Sequence, residues 1–126
     1  MTFNSAKLTG VGKLRGLGDF VDGRASKVGR TTGVTHGRVT AFELDNLVVE
    51  YDIGDLRFDD QIEIEGTGEK PFSDGGDSGS LIVNSGREAS ALLFAGGDVG
   101  GSNGKGLTYA NPLPAVLEAL RLKLLI

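Results

Sequence analysis

The sequence has no cysteine among its 126 residues, which excludes disulfide bonds and thiolate zinc sites and points to a reducing compartment. It has one histidine, His36, so a metal centre would have to rest on carboxylates with no close ligand cluster to hold it. No metal and no cofactor are expected. Basic residues are few and scattered: 13 Lys and Arg against 17 Asp and Glu leave a net charge of −4. No cluster is dense enough to neutralise a row of phosphates, so nucleic acid is not an expected partner. Long apolar runs are missing too. Stretches such as Ala91 to Ala95 are far too short to span a bilayer, and no basic segment followed by an apolar core opens the chain. A soluble, cytoplasmic protein with no membrane partner is expected.

Glycine, by contrast, is abundant. Its 21 copies are about twice the usual share and are scattered rather than periodic, which suggests tight turns between short strands in one all-β domain. Residues 1–26 show weak periodicity and read as an N-terminal connecting segment. From Lys27 the pattern sharpens. "KVGRTTG" reads as strand and turn, and "HGRVTAFEL" alternates Val39 and Ala41 with Arg38 and Thr40. Asp45 and Asn46 offer a turn. Leu47, Val49, Tyr51 and Ile53 then fall on one face, and Ile62 and Ile64 alternate with Gln61, Glu63 and Glu65, as in half-buried strands with one wet face. "SLIV", "ASALLFAG" and "GLTYAN" follow, each bounded by turn residues.

The end of the chain differs. Asn111 can cap a helix, Pro112 suits its first turn, and Leu113, Val116, Leu117, Leu120 and Leu124 recur at helical spacing. Arg121 and Lys123 would favour the negative end of its dipole. Residues 27–126 are therefore expected to form a single antiparallel barrel of six or seven strands, with a C-terminal α-helix covering one open end.

The stretch that carries chemistry is "FSDGGDSGSLIVN", Phe72 to Asn84. A serine hydroxyl becomes a nucleophile only when a base takes its proton, and the oxyanion formed on attack needs preorganised N–H donors. Gly75 and Gly76 permit a tight turn from which the amides of Gly76 and Ser78 could converge on such an oxyanion. Asp77 could hold the turn by pairing with a buried cation or with backbone donors. On composition alone the same residues also fit an ordinary Gly/Asp/Ser turn. Asp55, Asp59 and Asp60 read as a solvated edge rather than a calcium site.

"GDSGSLIV" resembles the nucleophile loop and following strand of trypsin-like, chymotrypsin-fold serine peptidases. "KVGRTTGVTHGRVTAF" resembles the opening hairpin of the C-terminal barrel in a bacterial and plant branch of them, and "ALLFAGG" with "LTYANPLPAVLEAL" resembles that branch's last strands and helix. The resemblance spans roughly Lys27 to Leu124. It implies that Ser78 is the nucleophile, that Gly76 and Ser78 supply the oxyanion hole, and that Asp77 locks the loop. It makes Ala95, Gly96 and Gly97 the strand that pairs with substrate backbone. Phe72, Ser73 and Gly106 would lie near the floor and far wall of a specificity pocket suited to a small or apolar side chain rather than a basic one.

In that fold the catalytic His and Asp precede the serine by about 140 and about 90 residues, on an N-terminal barrel. Only 77 residues precede Ser78 here, and His36 falls at a hairpin strand that the resemblance assigns to the C-terminal barrel. The chain therefore resembles the second half of a serine endopeptidase, completed by an N-terminal barrel from the same precursor or a separate chain and acting on a peptide or protein substrate. Alone it should be nearly inactive. Two other readings stand beside it: a non-catalytic module that binds an extended peptide beside Ala95 to Gly97, and a structural protein that self-assembles, as a homodimer for example, through a face including Leu56 and Phe58.

Overall fold

The structure, a computed structural model, describes residues 7–8, 12–45, 47–51, 54–58, 60–97 and 100–120. Two short strands open it, β1 (Lys7–Leu8) and β2 (Gly12–Lys13), paired antiparallel. Six longer strands then close on one another: β3 (Arg24–Gly29), β4 (Gly33–Leu44), β7 (Gln61–Gly66), β8 (Leu81–Val83), β9 (Ala89–Gly97) and β10 (Leu107–Pro112). Their order around the barrel is β10-β7-β4-β3-β8-β9, every pairing antiparallel. Closure pairs each of these six strands on both sides over part of its length, which is how a small all-β chain limits edge-to-edge association. The remaining strands, β5 (Leu47–Tyr51) and β6 (Gly54–Phe58), pair only with each other. The expected strand at Leu47 thus exists, but it forms a separate ribbon rather than a barrel stave; Ile53 and Asp59 lie outside the described residues.

Alternation along the strands sorts the core into two layers. Ile82 joins Ala25, Ile62, Ile64, Leu93 and Ala110 inside the barrel, whereas its neighbours Leu81 and Val83 face the opposite way. Those two pack with Leu14, Ala89, Leu113 and Leu117. Leu113 and Leu117 belong to α1 (Leu113–Leu120), so the helix lies on the outer face of β8 and β9 instead of covering a barrel end. It packs there because β8 is apolar on both faces and its outer one needs a cover. Phe20 lies in the barrel core and Leu14 beneath the helix, so the N-terminal segment contributes to both layers.

Two further expectations change. Asn111 and Pro112 end β10, and the Asn111 Oδ1 accepts a hydrogen bond from Gln61 Nε2 at 2.8 Å instead of capping the helix. Nor is one face of β7 wet throughout: Gln61 and Glu65 are buried, the former beneath Asn111, the latter beneath Arg38 and Ser102. Leu124, Arg121 and Lys123 lie outside the described residues. No described helix is long and apolar enough to cross a membrane.

Candidate active site

Ser78 sits at one end of the barrel, on the loop that leads into β8. Two successive turns shape this loop. The Asp77 amide donates to the Asp74 carbonyl at 3.1 Å, and the Ser80 amide donates to the Asp77 carbonyl at 3.0 Å. The third residue of each turn, Gly76 and Gly79, has a φ of 93° and 89°, a conformation open to glycine and strained for other residues. The turns leave Ser78 exposed and Asp77 buried between them.

Asp77 is the anchor of the loop. Its carboxylate accepts hydrogen bonds from the amides of Thr31 (2.8 Å), Thr32 (3.2 Å) and Asp74 (2.9 Å) and from the Thr32 hydroxyl (2.7 Å). The Lys27 ammonium lies 3.9 Å away, and both side chains are fully buried. Lys27 donates in turn to the Thr32 hydroxyl (2.6 Å) and the Gly33 carbonyl (3.2 Å) and stands 5.5 Å over the Phe72 ring. Burial alone would push the Asp77 carboxyl up. The hydrogen bonds from the Thr32 hydroxyl and from the Asp74, Thr31 and Thr32 amides outweigh it and hold the group at about 2. Burial pushes the Lys27 ammonium down, against the pull of Asp77. The β3–β4 turn is thereby fastened to the serine loop across 45 residues of chain.

Beside Ser78 lies a cleft of about 100 Å³ lined by Ser73, Asp74, Gly75, Ser78, Leu93, Ala95, Gly96 and Gly97. The Ser78 hydroxyl makes a long donation to the Phe94 carbonyl, 3.4 Å. Among the described residues the amides of Gly76 and Ser78 donate no hydrogen bond. Exposed N–H groups of this kind are available to an anion. Ala95, Gly96 and Gly97 pair with Tyr109, Thr108 and Leu107 of β10 on one side, while β8 runs alongside β9 only as far as Leu92. Toward the cleft these three residues therefore have no neighbouring strand among the described residues. Ser73 and Thr108 share a hydroxyl–hydroxyl hydrogen bond at the base of the cleft.

The structure thus brings Ser73, Ser78, Ala95, Gly96 and Gly97 together. Phe72 is buried in the barrel core beneath Lys27, and Gly106 is buried in the β9–β10 connection, where its amide donates to Gly100 at 3.0 Å; neither lines the cleft. His36 lies elsewhere, exposed on β4 with its Nδ1 2.8 Å from the Ser26 hydroxyl. Asp60 is exposed and Asp55 lies on β6. Among the described residues no group of three or more His, Asp or Glu side chains could hold a metal ion.

Lys27, Thr31, Thr32 and Thr108 were not singled out by the sequence reading. The signal for Lys27 was its place in "RASKVG", where Ala25, Lys27 and Gly29 share one face. A lysine on the same face as a core alanine requires a buried partner.

Comparison with known proteins fits this geometry. The profile of the Nal1 C-terminal domain family matches residues 9–111. No protein of curated function matches the chain. Among solved structures the chain is similar to Protease A of Thermobifida fusca (23% identity, TM-score 0.66, covering 90% of this chain and 54% of that one). It is similar to the chymotrypsin of Cellulomonas bogoriensis (25%, TM-score 0.63, 96% and 62%) and to a Nocardiopsis protease (22%, TM-score 0.64, 97% and 59%). The barrel is that of the chymotrypsin-fold serine proteases, and the chain spans a little over half the length of these enzymes.

Proposed function

The chain belongs to the family of Nal1 C-terminal domains, and we propose that it is the nucleophile-bearing half of a chymotrypsin-fold serine endopeptidase. In this reading Ser78 attacks the peptide carbonyl, and the amides of Gly76 and Ser78 stabilise the oxyanion. The cleft-side edge of Ala95, Gly96 and Gly97 pairs with an extended substrate. Asp77 keeps the two amides aimed, fastened by Lys27 and Thr32. A His and an Asp on an N-terminal barrel supply proton transfer.

The observation that supports it best is the combination at one loop: an exposed serine, two undirected amides beside it, and an adjacent carboxylate fixed by four hydrogen bonds and a buried ammonium. An ordinary surface turn has no need of such an anchor. The cleft volume of about 100 Å³ suits a small or medium side chain at the residue preceding the scissile bond. It is smaller than the roughly 150 Å³ cavity that accommodates benzene in an engineered protein.

The test is fluorophosphonate labelling of the purified chain, with and without added imidazole as a substitute base. The chain alone should label very slowly, imidazole should accelerate labelling at Ser78 selectively, and Ser78→Ala should remove it. Labelling of Ser78 no faster than of the exposed Ser85 and Ser102 would refute an oxyanion site. A second reading, a peptide-binding module without chemistry, draws support from the position of His36, which pairs with Ser26 and does not line the cleft. It requires that Ser78→Ala bind peptide as the parent does and that imidazole have no effect.

A further inference from the structure

At the barrel end opposite Ser78 an open groove of about 330 Å³ lies between the ends of β4, β7 and β10 and the chain at Asp19 and Phe20. Its floor is apolar: Phe20 and Ile62 are buried beneath it, Pro112 closes one side, and Phe42 exposes 55% of its surface. Its rim is acidic. Asp19, Glu43 and Asp60 are all exposed, and their carboxylates make no ion pair or hydrogen bond among the described residues. Among the described residues no lysine or arginine lines the groove.

We propose that this groove docks a peptide segment of a partner protein in which lysine or arginine alternates with large apolar side chains. An apolar side chain seated on the floor removes the Phe42 ring from water. The neighbouring basic side chains lay their methylene stems along the same surface and bring their charges to the three rim carboxylates. An acidic segment would set like charges against that rim and be rejected. The volume admits about two or three side chains, so the recognised element is short. The occupant lies at the opposite end from Ser78 and leaves the serine cleft open, so the groove is an anchoring site separate from the proposed chemistry.

Fluorescence anisotropy on the full chain tests this, using a labelled hexapeptide that alternates lysine and leucine and the same peptide with glutamate replacing lysine. The basic peptide should bind saturably and more weakly as salt is raised from about 0.05 to about 0.5 M, and the acidic peptide should not bind. Phe42→Ala should weaken binding about tenfold. Asp60→Asn, which tolerates the φ of 61° at that position, should weaken it about two- to threefold. Glu69→Gln, at the other end of the barrel, should leave it unchanged. Should Phe42→Ala fail to fold, Glu43→Gln combined with Asp60→Asn carries the same comparison. The proposal is overturned by absence of saturable binding, by binding that persists in Phe42→Ala, or by an equal loss in Glu69→Gln, which would mean general attraction to an acidic protein. It is also overturned if light scattering shows a dimer that Phe42→Ala dissolves, since the occupant would then be a second copy.

Discussion

Replacing Asp77 with Asn exchanges one heavy atom and should remove much of the stability of this barrel. At 3.9 Å, the attraction between Lys27 and Asp77 is about 4 kcal/mol at an effective dielectric constant of about 20. Asn cannot supply it. Its amide nitrogen would also stand where an oxygen accepts from the Thr32 hydroxyl and the Asp74 amide. Leaving a buried ammonium without its counter-charge costs about 3–5 kcal/mol, against a total of about 5–15 kcal/mol for a domain. Lys27→Met is the informative partner. It removes the charge but leaves Asp77 with four hydrogen bonds, so it should cost about 1–3 kcal/mol.

Acid adds an independent reading of the same pair. The folded Asp77 carboxyl is depressed to about 2 from 3.8. Its contribution of about 2.5 kcal/mol is therefore present in full above the unfolded value and lost as pH falls through the folded one. Urea unfolding at pH 7, repeated between about pH 5 and pH 2, measures both effects. The reasoning is refuted if Lys27→Met costs as much as Asp77→Asn, or if Asp77→Asn, which lacks the titrating carboxyl, loses stability in parallel with the parent on acidification.

Three further outcomes follow from neighbouring contacts. Gly29→Ala would drive a Cβ into the Asp77 Oδ1; it should destabilise the chain by about 1–3 kcal/mol in urea and slow the imidazole-assisted labelling of Ser78. Glu65→Gln removes the charge that Arg38 and the Ser102 amide and hydroxyl address, so it should cost about 2 kcal/mol and speed hydrogen exchange at Ser102. The hydrogen bond from Ser102 comes first in holding the Glu65 carboxyl below its usual range, opposed by burial and joined by Arg38, so this contribution too is kept above the ordinary carboxyl pKa and lost as pH falls through the lowered one. Ile82→Ala, at a fully buried barrel position, should cost about 2–5 kcal/mol; a loss below 1 kcal/mol would mean that the barrel interior is not packed as described.

A β-barrel with a terminal helix is legible in the residues themselves, because alternation and turn chemistry are local properties: "QIEIEG" and "SLIV" show their faces, and glycine marks the turns between them. The sequence also singled out Ser78 and the glycines around it, because a tight loop leading into a strand is written in adjacent residues. The remaining features depend on partners distant in the chain and emerge only on folding. No local rule assigns Lys27 to Asp77, because the pair is made by β3, its turn and a loop about 50 residues further along. Nor does alternation show that Glu65 is covered by Ser102, or that the helix seals the outside of β8 and β9 rather than a barrel end. β5 and β6 carry the same period-2 pattern as the barrel strands yet stand apart, since periodicity reports that a strand has two faces and not which neighbour it will pair with. The cleft and the opposite groove are likewise tertiary products, made where strand ends from opposite parts of the chain meet.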